Sequence, residues 1–498
     1  MTIPVVQGVP VEGTAQQQPY QSYENNYQQQ QQQQQQPLYN SNGAASAPIE
    51  DFGDAKIYTA QELQTYRQNP RKQFQDVFFA VLFWIHIAAV VVMSTIMFSS
   101  GNGAEAKYSS EFNDVIFVGG VSAMVSLALS TLSLKAMMNN AKLLVQVALV
   151  FSVAMSGVLA AFGLLSGSMI MGVMGLVMFA VGCCYAYAVW HRIPFAAVNL
   201  KTALSAVKDN MGLTVVAYIF MALAFGWSVL WFMGLGSTLG NGDQMSLFVV
   251  FLLFLSYYWT HEVLRNTMNV TTSGVVGTWW FVPAEASRFW SPALTDSLQR
   301  ATTTSFGSIC FGSLLVAIVQ ALRALEHYTR ENEDLAIVRC IVQCILSCIE
   351  SIILFLNRWS YVYVGLYGFS YIEAGRNVVN LFQQKGWTAI IADDLASNVL
   401  GMISLGIGLA SGLVGLLLAW ADKSLFEDLG FESGRGPGFL VAFLVGFIFA
   451  SVYLGVVDSA ITTVIVCYAE APAEFESNHP ELSSEMRNAW TEAWPGLV

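Results

Sequence analysis

The sequence predicts an all-α, polytopic transmembrane helical bundle of about ten spans, preceded by a disordered, glutamine-rich N-terminal tail. Three observations lead to this fold class. Hydrophobic residues make up 55% of the 498 residues and charged residues 11%, whereas about one quarter of a soluble domain is charged. Apolar runs of roughly 20 residues, the length that spans the hydrocarbon of a bilayer, recur along the chain. A glutamine run, Gln28 to Gln36, lies in the polar stretch before the first of them.

Residues 1–55 form the tail. Glutamine, asparagine, glycine and proline dominate this stretch, which cannot bury enough apolar surface to offset the entropy of ordering it. We expect a disordered cytosolic tail. The first residues lack a basic region followed by an apolar run, so no signal peptide is expected and the first span should act as its own insertion signal.

The transmembrane bundle is expected over residues 74–470. The runs long and apolar enough to be spans are Val77–Phe98, Val115–Leu134, Leu143–Leu165, Ser168–Trp190, Leu213–Leu235, Ser246–Met268, Ser305–Leu325, Val338–Leu356, Leu395–Trp420 and Phe439–Cys467. A further amphipathic stretch, Trp359–Phe382, is either an interfacial or re-entrant helix or the true eighth span, so the number of spans is open by about one.

Lysine and arginine residues predict the orientation of the bundle. They precede the first span and fill the loops after the second, fourth and sixth spans, whereas the alternate loops carry few. Arginines around the loop after the seventh span disagree with this pattern. The early loops favour cytosolic termini, and residues 471–498 are therefore expected to form a cytosolic C-terminal tail.

Composition and motifs argue against several functions. The net charge of −12 is spread over short loops and tails, so no nucleic-acid partner is expected. No phosphate-binding glycine loop is present. The sequence HEVLRN, from His261, lacks the second histidine of a zinc hydrolase motif, and neither a metal nor a cofactor is expected. The seven cysteines lie in or beside apolar runs and suggest no disulfide framework.

Polar residues inside the eighth span are the first candidate site. Glu350, Asn357 and Tyr361 lie on one stripe of a helix. A charge at the centre of a bilayer costs roughly 2.5–3.5 kcal/mol, so such a residue is paired, neutralised or functional. The stripe is therefore either a cation site or gate, or a structural hydrogen-bond cluster.

Two other spans carry acids. In the sixth span, Tyr258, His261, Glu262 and Arg265 share a face and are expected to form an internal polar network. In the last span, Asp458 lies two turns or more from any other charge in its helix, which makes it the best candidate for a buried functional carboxylate.

Aromatic residues are dense beside these acids. The sequence YYWTHE contains Tyr258 and Trp259 next to Glu262. Such clusters are either interfacial belts or a cage for a quaternary ammonium ion, since a desolvated aromatic face attracts a cation by about 2 kcal/mol. Composition alone does not choose between belt and cage.

Several long motifs resemble those of the choline transporter-like family. The matching positions are Gly307 to Leu325, the set Cys348, Glu350, Asn357, Arg358 and Tyr361, the sequence GTWWF from Gly277 to Phe281, Arg376 with Asn377, and Asp458. The resemblance covers most of the chain from about Phe74 and is typical of the fungal and protist branch of the family. Two positions depart from the family pattern: Ala471 replaces an aspartate, and Gly375 replaces an alanine.

The resemblance implies a transporter, not an enzyme, that moves choline or a similar organic cation, including ethanolamine, across a plasma or organelle membrane by alternating access. The expected partners are this small-molecule substrate and the lipid bilayer. The candidate substrate-binding residues are Asp458, Glu350, Glu262, Tyr361, Tyr258, Trp259 and Asn357. If Glu262, Glu350 and Asp458 were all paired with basic groups far from any cavity, this mechanism would fail.

Two other functions compete. The glutamine-rich tail favours a non-transporting membrane scaffold or stress-response protein. A membrane enzyme of lipid metabolism is the weaker alternative, because no paired acids or histidine-rich motif supports it.

Overall fold

The computed structural model describes residues 56–68, 70–99, 109–231, 247–328, 336–387, 395–422, 424–426 and 434–496. The predicted tail, residues 1–55, lies outside these ranges. Within them every regular element is helical, and the α-helices are α1 (Ala60–Gln68), α2 (Val77–Ser99), α3 (Ser109–Leu165), α4 (Met169–Val189), α5 (Ile193–Asp209), α6 (Gly212–Trp231), α7 (Leu247–Phe281), α8 (Pro292–Thr302), α9 (Phe306–Tyr328), α10 (Ala336–Tyr367), α11 (Tyr371–Lys385), α12 (Leu395–Ala421), α13 (Arg435–Glu470), α14 (Pro472–Asn478) and α15 (Pro480–Ala493).

The helices have the length and composition of membrane spans. Among the described residues, seven helical stretches are long and apolar enough to cross a bilayer, and Gly212–Ser228 forms a shorter apolar helix. Large apolar side chains of α2 and α4, such as Phe78, Trp84 and Ile170, lie exposed on the outside of the bundle. Lipid provides the apolar surroundings that these side chains require. The predicted class of helical membrane bundle is confirmed, and the number of ten spans stays a prediction.

The second and third predicted spans lie on either side of a kink in α3. α3 has 57 residues, and at about 1.5 Å per residue a straight helix of that length would far exceed the hydrocarbon thickness. Asn140 interrupts it with non-helical backbone angles, φ −134° and ψ 32°. This kink falls where the sequence predicts a turn between the two spans.

The interpretation of Trp359–Phe382 as one helix was wrong. Trp359 belongs to α10, which continues to Tyr367, and a separate amphipathic helix, α11, begins at Tyr371. The break lies at Gly368, whose φ of +69° is a left-handed conformation that glycine adopts without strain. Hydropathy did not show this break, because apolar and aromatic residues continue across it.

α7 lies at the centre of one part of the bundle and packs against α6, α8, α9, α10 and α13. α13 joins this part to α3 and α12, and α4 packs against α3. A ridge of small residues, Ser404, Gly408 and Gly412, lies on α12 where that helix meets α13. A Cβ atom on Gly412 would lie 2.8 Å from the ring of Phe439, so small residues permit the close approach.

Candidate functional site

A cavity of about 520 Å³ lies between α7 and α9. Its lining residues are Phe254, Tyr258, Gln320, Arg323, Ala324, His327 and Tyr328. Three of them, Phe254, Tyr258 and Tyr328, carry phenyl or phenol rings, and Arg323 supplies a positive charge. The cavity therefore combines the aromatic surface and the polar groups that a small organic ion would contact.

The cavity lies toward the end of the bundle that is remote from residues 56–68 and 70–76, which we call the N-terminal segment. At the other end of α7, the ring of Phe281 packs against the guanidinium of Arg67, 4.5 Å away. Tyr258 and Phe281 are separated by roughly 35 Å of helix at 1.5 Å per residue.

Glu262 lies directly behind the cavity wall. Its side chain is 5% exposed, and its carboxylate accepts a hydrogen bond of 2.7 Å from the Nε2 of Gln320, which lines the cavity. Asn266 donates a weaker bond of 3.4 Å, and the guanidinium of Arg265 lies 3.5 Å away with most of its side chain exposed. The amide of Gln320 thus lies between the buried carboxylate of Glu262 and the cavity.

Polar side chains continue from Glu262 toward the N-terminal segment. Asn269 donates to Asn266 Oδ1 at 3.0 Å, Ser459 donates to Asn269 Oδ1 at 2.9 Å, and Thr463 donates to Ser273 Oγ at 3.0 Å. We call this set the polar column, and its members are Gln320, Glu262, Asn266, Asn269, Ser459, Thr463 and Ser273. It connects the cavity with the interior between α7 and α13.

The sequence analysis did not identify the polar column beyond Glu262, although part of it was readable. Glu262, Asn266, Asn269 and Ser273 follow one another at spacings of four, three and four residues, which places them on one stripe of a helix. The contribution of Ser459 comes from another helix, and no local pattern indicates that contact.

Tyr361 contacts the polar column through the hydroxyl of Ser313. Asn266 donates a hydrogen bond of 3.0 Å to Ser313 Oγ, and the hydroxyl of Tyr361 lies 3.3 Å from the same atom. Tyr361 is 2% exposed and donates to the carbonyl of Ile309 at 3.1 Å. The structure therefore brings two predicted residues, Tyr361 and Glu262, into one hydrogen-bond network, with Tyr361 outside the cavity wall.

The two neighbouring aromatic candidates take different positions. Tyr258 lines the cavity. Trp259 is buried, donates from Nε1 to the carbonyl of Cys310 at 3.0 Å and stacks on the imidazole of His86 at 5.2 Å. Trp259 therefore packs α7 against α2 and α9, away from the cavity lining.

The predicted network around HEVLRN divides between two neighbouring helices. His261 contacts Ser228 of α6 at 3.0 Å and the ring of Tyr257 at 4.5 Å, whereas Glu262 contacts Gln320 of α9. The expectation that His261 and Glu262 share one network was wrong. Consecutive residues of a helix differ by about 100° in direction, and here that angle separates two neighbours.

Glu350 reaches the rim of the cavity through an ion pair. Its carboxylate pairs with the guanidinium of Arg323, which lines the cavity. Asn357 lies half-buried farther along α10, and among the described residues its Oδ1 has no hydrogen-bond partner. Glu350 and Tyr361 both contact α9, so the predicted stripe does face a neighbouring helix.

Asp458 is not isolated from other charges. Ser397 donates to its carboxylate at 2.7 Å, and the guanidinium of Arg358 lies 3.5 Å away. Arg358 also donates to Thr462 at 3.4 Å. The expectation of a lone acid was wrong because its partner comes from α10, which spacing along α13 does not reveal.

Each of the three acids thus has an arginine within 4 Å, but their distances from the cavity differ. Glu262 and Glu350 contact residues that line it, whereas the contacts of Asp458 are Arg358, Ser397 and Thr462 around α10, α12 and α13. Within the described ranges, no group of three or more histidine, cysteine, aspartate or glutamate side chains could hold a metal ion.

Comparison with known proteins identifies the family to which the chain belongs. The family described as plasma-membrane choline transporter matches residues 173–473, which include the cavity and the polar column. The chain is 27% identical to Protein PNS1 of Mycosarcoma maydis over 97% of this chain and 96% of that protein. It is 25% identical to a CTL-like protein of Dictyostelium discoideum over 82% and 74%, and 30% identical to Protein PNS1 of Gibberella zeae over 63% and 62%. The chain therefore belongs to the choline transporter-like family and is a multi-pass membrane protein.

Proposed function

We propose that this protein moves choline, or a similar small ammonium ion such as ethanolamine, across the plasma membrane by alternating access. The observation that carries the proposal is the buried carboxylate of Glu262 behind the aromatic cavity, in a chain of this family. A methylated ammonium ion binds well where aromatic faces and a negative charge replace its water shell.

The balance of energies favours a cation in this cavity. Removing an ion from water costs several kcal/mol after relaxation of the site. An aromatic face contributes about 0.5–1 kcal/mol where it is exposed and about 2 kcal/mol where it is desolvated. Of the rings that line the cavity, Phe254 and Tyr258 are partly buried and Tyr328 is exposed. The charge of Arg323 opposes a cation, but Glu350 neutralises it. Glu262 then supplies the counter-charge through the wall.

The membrane potential is a sufficient driving force. A potential of 100 mV is worth about 2.3 kcal/mol for each elementary charge moved inward. A cation such as choline can therefore accumulate without a coupling ion. Asp458, in this proposal, serves to hold α10, α12 and α13 together through Arg358 and Ser397.

Uptake of radiolabelled choline into liposomes containing the purified protein tests the proposal. Uptake should be saturable, should rise with an inside-negative potential, and should fall strongly in Glu262→Gln. Glu285→Gln, at an exposed turn outside the spans, is the matched control and should retain uptake. Absence of uptake of choline and ethanolamine at every imposed potential would refute transport and favour a non-transporting scaffold of the same fold.

A further inference from the structure

The chain before the first span lies across the end of the bundle that is opposite the cavity. Backbone N–H groups of the N-terminal segment, residues 56–68 and 70–76, donate hydrogen bonds to three distant parts of the chain. Tyr58 N donates to Asn377 Oδ1 at 2.8 Å, Arg71 N to the carbonyl of Tyr367 at 3.0 Å, and Gln75 N to that of Thr304 at 2.9 Å.

The folding of this segment is locally encoded. Thr59 and Glu62 form a capping box at the start of α1: Thr59 N donates to the Glu62 carboxylate at 3.0 Å, and Glu62 N donates to Thr59 Oγ1 at 3.4 Å. Gly307 permits the segment to approach α9, because a Cβ atom there would lie 2.2 Å from the backbone oxygen of Gln75. The segment is therefore a defined part of the fold.

Arg67 connects four helices at this end. Its guanidinium lies 3.5 Å from Glu470 of α13 and 3.2 Å from Glu474 of α14, and its Nε donates to the hydroxyl of Tyr367 of α10 at 3.3 Å. The same group packs on Phe281 of α7. The side chain of Arg67 is 11% exposed.

Arg71 makes a second connection nearby. It pairs with Glu373 of α11 at 3.0 Å and lies 5.0 Å from the ring centre of Phe369. The hydroxyl of Tyr58 donates to the same carboxylate. Burial opposes both guanidinium charges, but the neighbouring tyrosine and glutamate oxygens outweigh it, so the pKa of Arg67 and that of Arg71 lie above their usual value.

The polar column leads to these ion pairs. Ser459 and Thr463 of the column lie on the same stripe of α13 as Cys467 and Glu470, at spacings of four, four and three residues. The carboxylate of Glu470 accepts from Tyr367 and pairs with Arg67. The cavity therefore lies at one end of the polar column, and the ion pairs of the N-terminal segment lie beyond its other end.

We propose that the N-terminal segment is the gate that closes the path at this end, and that Arg67 and Arg71 are its positioning residues. The inference rests on the proposed function. Alternating access requires the two ends to open in turn, and the cavity opens at the other end. Separation of α13 from α10 here must break the pair of Arg67 with Glu470. Ion pairs suit such a movement, because water can replace each partner when the end opens.

Cys467 provides a native reporter of this movement. It is fully buried, one turn before Glu470 on α13. A variant that retains Cys467 and replaces the other six cysteines would be reconstituted and treated from the N-terminal side with a membrane-impermeant maleimide. Displacement of the segment should expose the thiol, so the rate of labelling measures the opening of this end.

Three comparisons follow from the proposal. Choline on the cavity side should raise the labelling rate of Cys467 several-fold, because the transport cycle visits the opposite state. Arg67→Gln and Arg71→Gln should each raise the rate without substrate by about tenfold, the factor that corresponds to 1.4 kcal/mol of gate stability. Arg71→Lys, which keeps the charge, should have a smaller effect. Lys201→Gln removes an exposed ion pair with Glu485 and is the control.

The outcomes separate the gate from the transport proposal. Normal choline uptake with equally slow labelling in all proteins, with and without choline, would overturn the gate and make the segment a static brace. Fast labelling of Arg67→Gln or Arg71→Gln with no uptake of any amine would support the gate and refute the substrate. If Arg67→Gln fails to fold, the labelling rate of Arg71→Gln and the effect of choline on the labelling rate of the parent protein still test the gate.

Discussion

Replacing Glu262 by glutamine removes a buried charge and changes the shape of the side chain little. The two side chains have nearly the same shape, and the glutamine oxygen can still accept the 2.7 Å hydrogen bond from Gln320. Asn266 donates its longer bond of 3.4 Å to the other carboxylate oxygen, and this bond is lost because the amide nitrogen of glutamine cannot accept it. The effect of the charge is therefore measured as the difference between a charged and a neutral ligand of the same shape.

The size of the effect follows from the position of Glu262. Taking about 5 Å between an ammonium nitrogen in the cavity and this carboxylate, and an effective dielectric constant of about 20, the attraction is about 3 kcal/mol. Arg265, 71% exposed at 3.5 Å, reduces this value modestly because water screens it. We expect a loss of about 1.4–3 kcal/mol, which corresponds to a factor of about 10–100 in affinity.

The assay compares choline with its neutral carbon isostere, 3,3-dimethylbutan-1-ol. Binding of each is measured from the ligand-dependent rise in melting temperature of the purified protein. Glu262→Gln should weaken choline binding by the calculated factor and leave the isostere unchanged, whereas Glu285→Gln should alter neither. If the ratio of the two affinities is the same in Glu262→Gln and the parent protein, Glu262 is not the counter-charge.

Three further predictions concern the bundle around the path. Asp458→Asn should destabilise the fold by about 1–2 kcal/mol, less than for a fully buried pair because both partners are about one third exposed, and should leave the choline-to-isostere ratio unchanged in the same assay. Asn269→Leu should cost about 1–3 kcal/mol by leaving the amide oxygen of Asn266 and the hydroxyl of Ser459 without their partner, and a thermal melt would detect it. Gly415→Ala should lower the melting temperature markedly, because the new Cβ atom would lie 2.2 Å from a backbone oxygen of α13, whereas Gly406→Ala, with open space around it, should not.

Local features of the sequence predicted the helical class and most span positions. The apolar run from Val77 needs no knowledge of neighbouring helices, and it appears in the structure as α2. The break at Gly368 was missed because hydropathy measures composition, and the residues on both sides are equally apolar. A glycine with positive φ becomes recognisable only when the backbone is known.

The site was less predictable because it is made by contacts between helices. The spacing of Glu262, Asn266 and Asn269 places all three on one stripe of α7. The sequence analysis considered the charged residue of this stripe and omitted its two amides. Asp458 illustrates the reverse error. It is distant from other charges along its own helix, and Arg358 lies beside it in space.

The arginines at the two ends of the path differ in a way that connects both proposals. At the cavity end, Arg265 and Arg323 are 71% and 60% exposed, so water screens their ion pairs with Glu262 and Glu350. At the other end, Arg67 is 11% and Arg71 22% exposed, because both lie in the N-terminal segment, which packs against the bundle. A path open at one end and closed at the other should show this asymmetry, since loosely held counter-charges can be exchanged for a substrate and buried ones cannot. In the opposite state the asymmetry should reverse, with Arg67 exposed and separated from Glu470 and with Arg323 buried over Glu350.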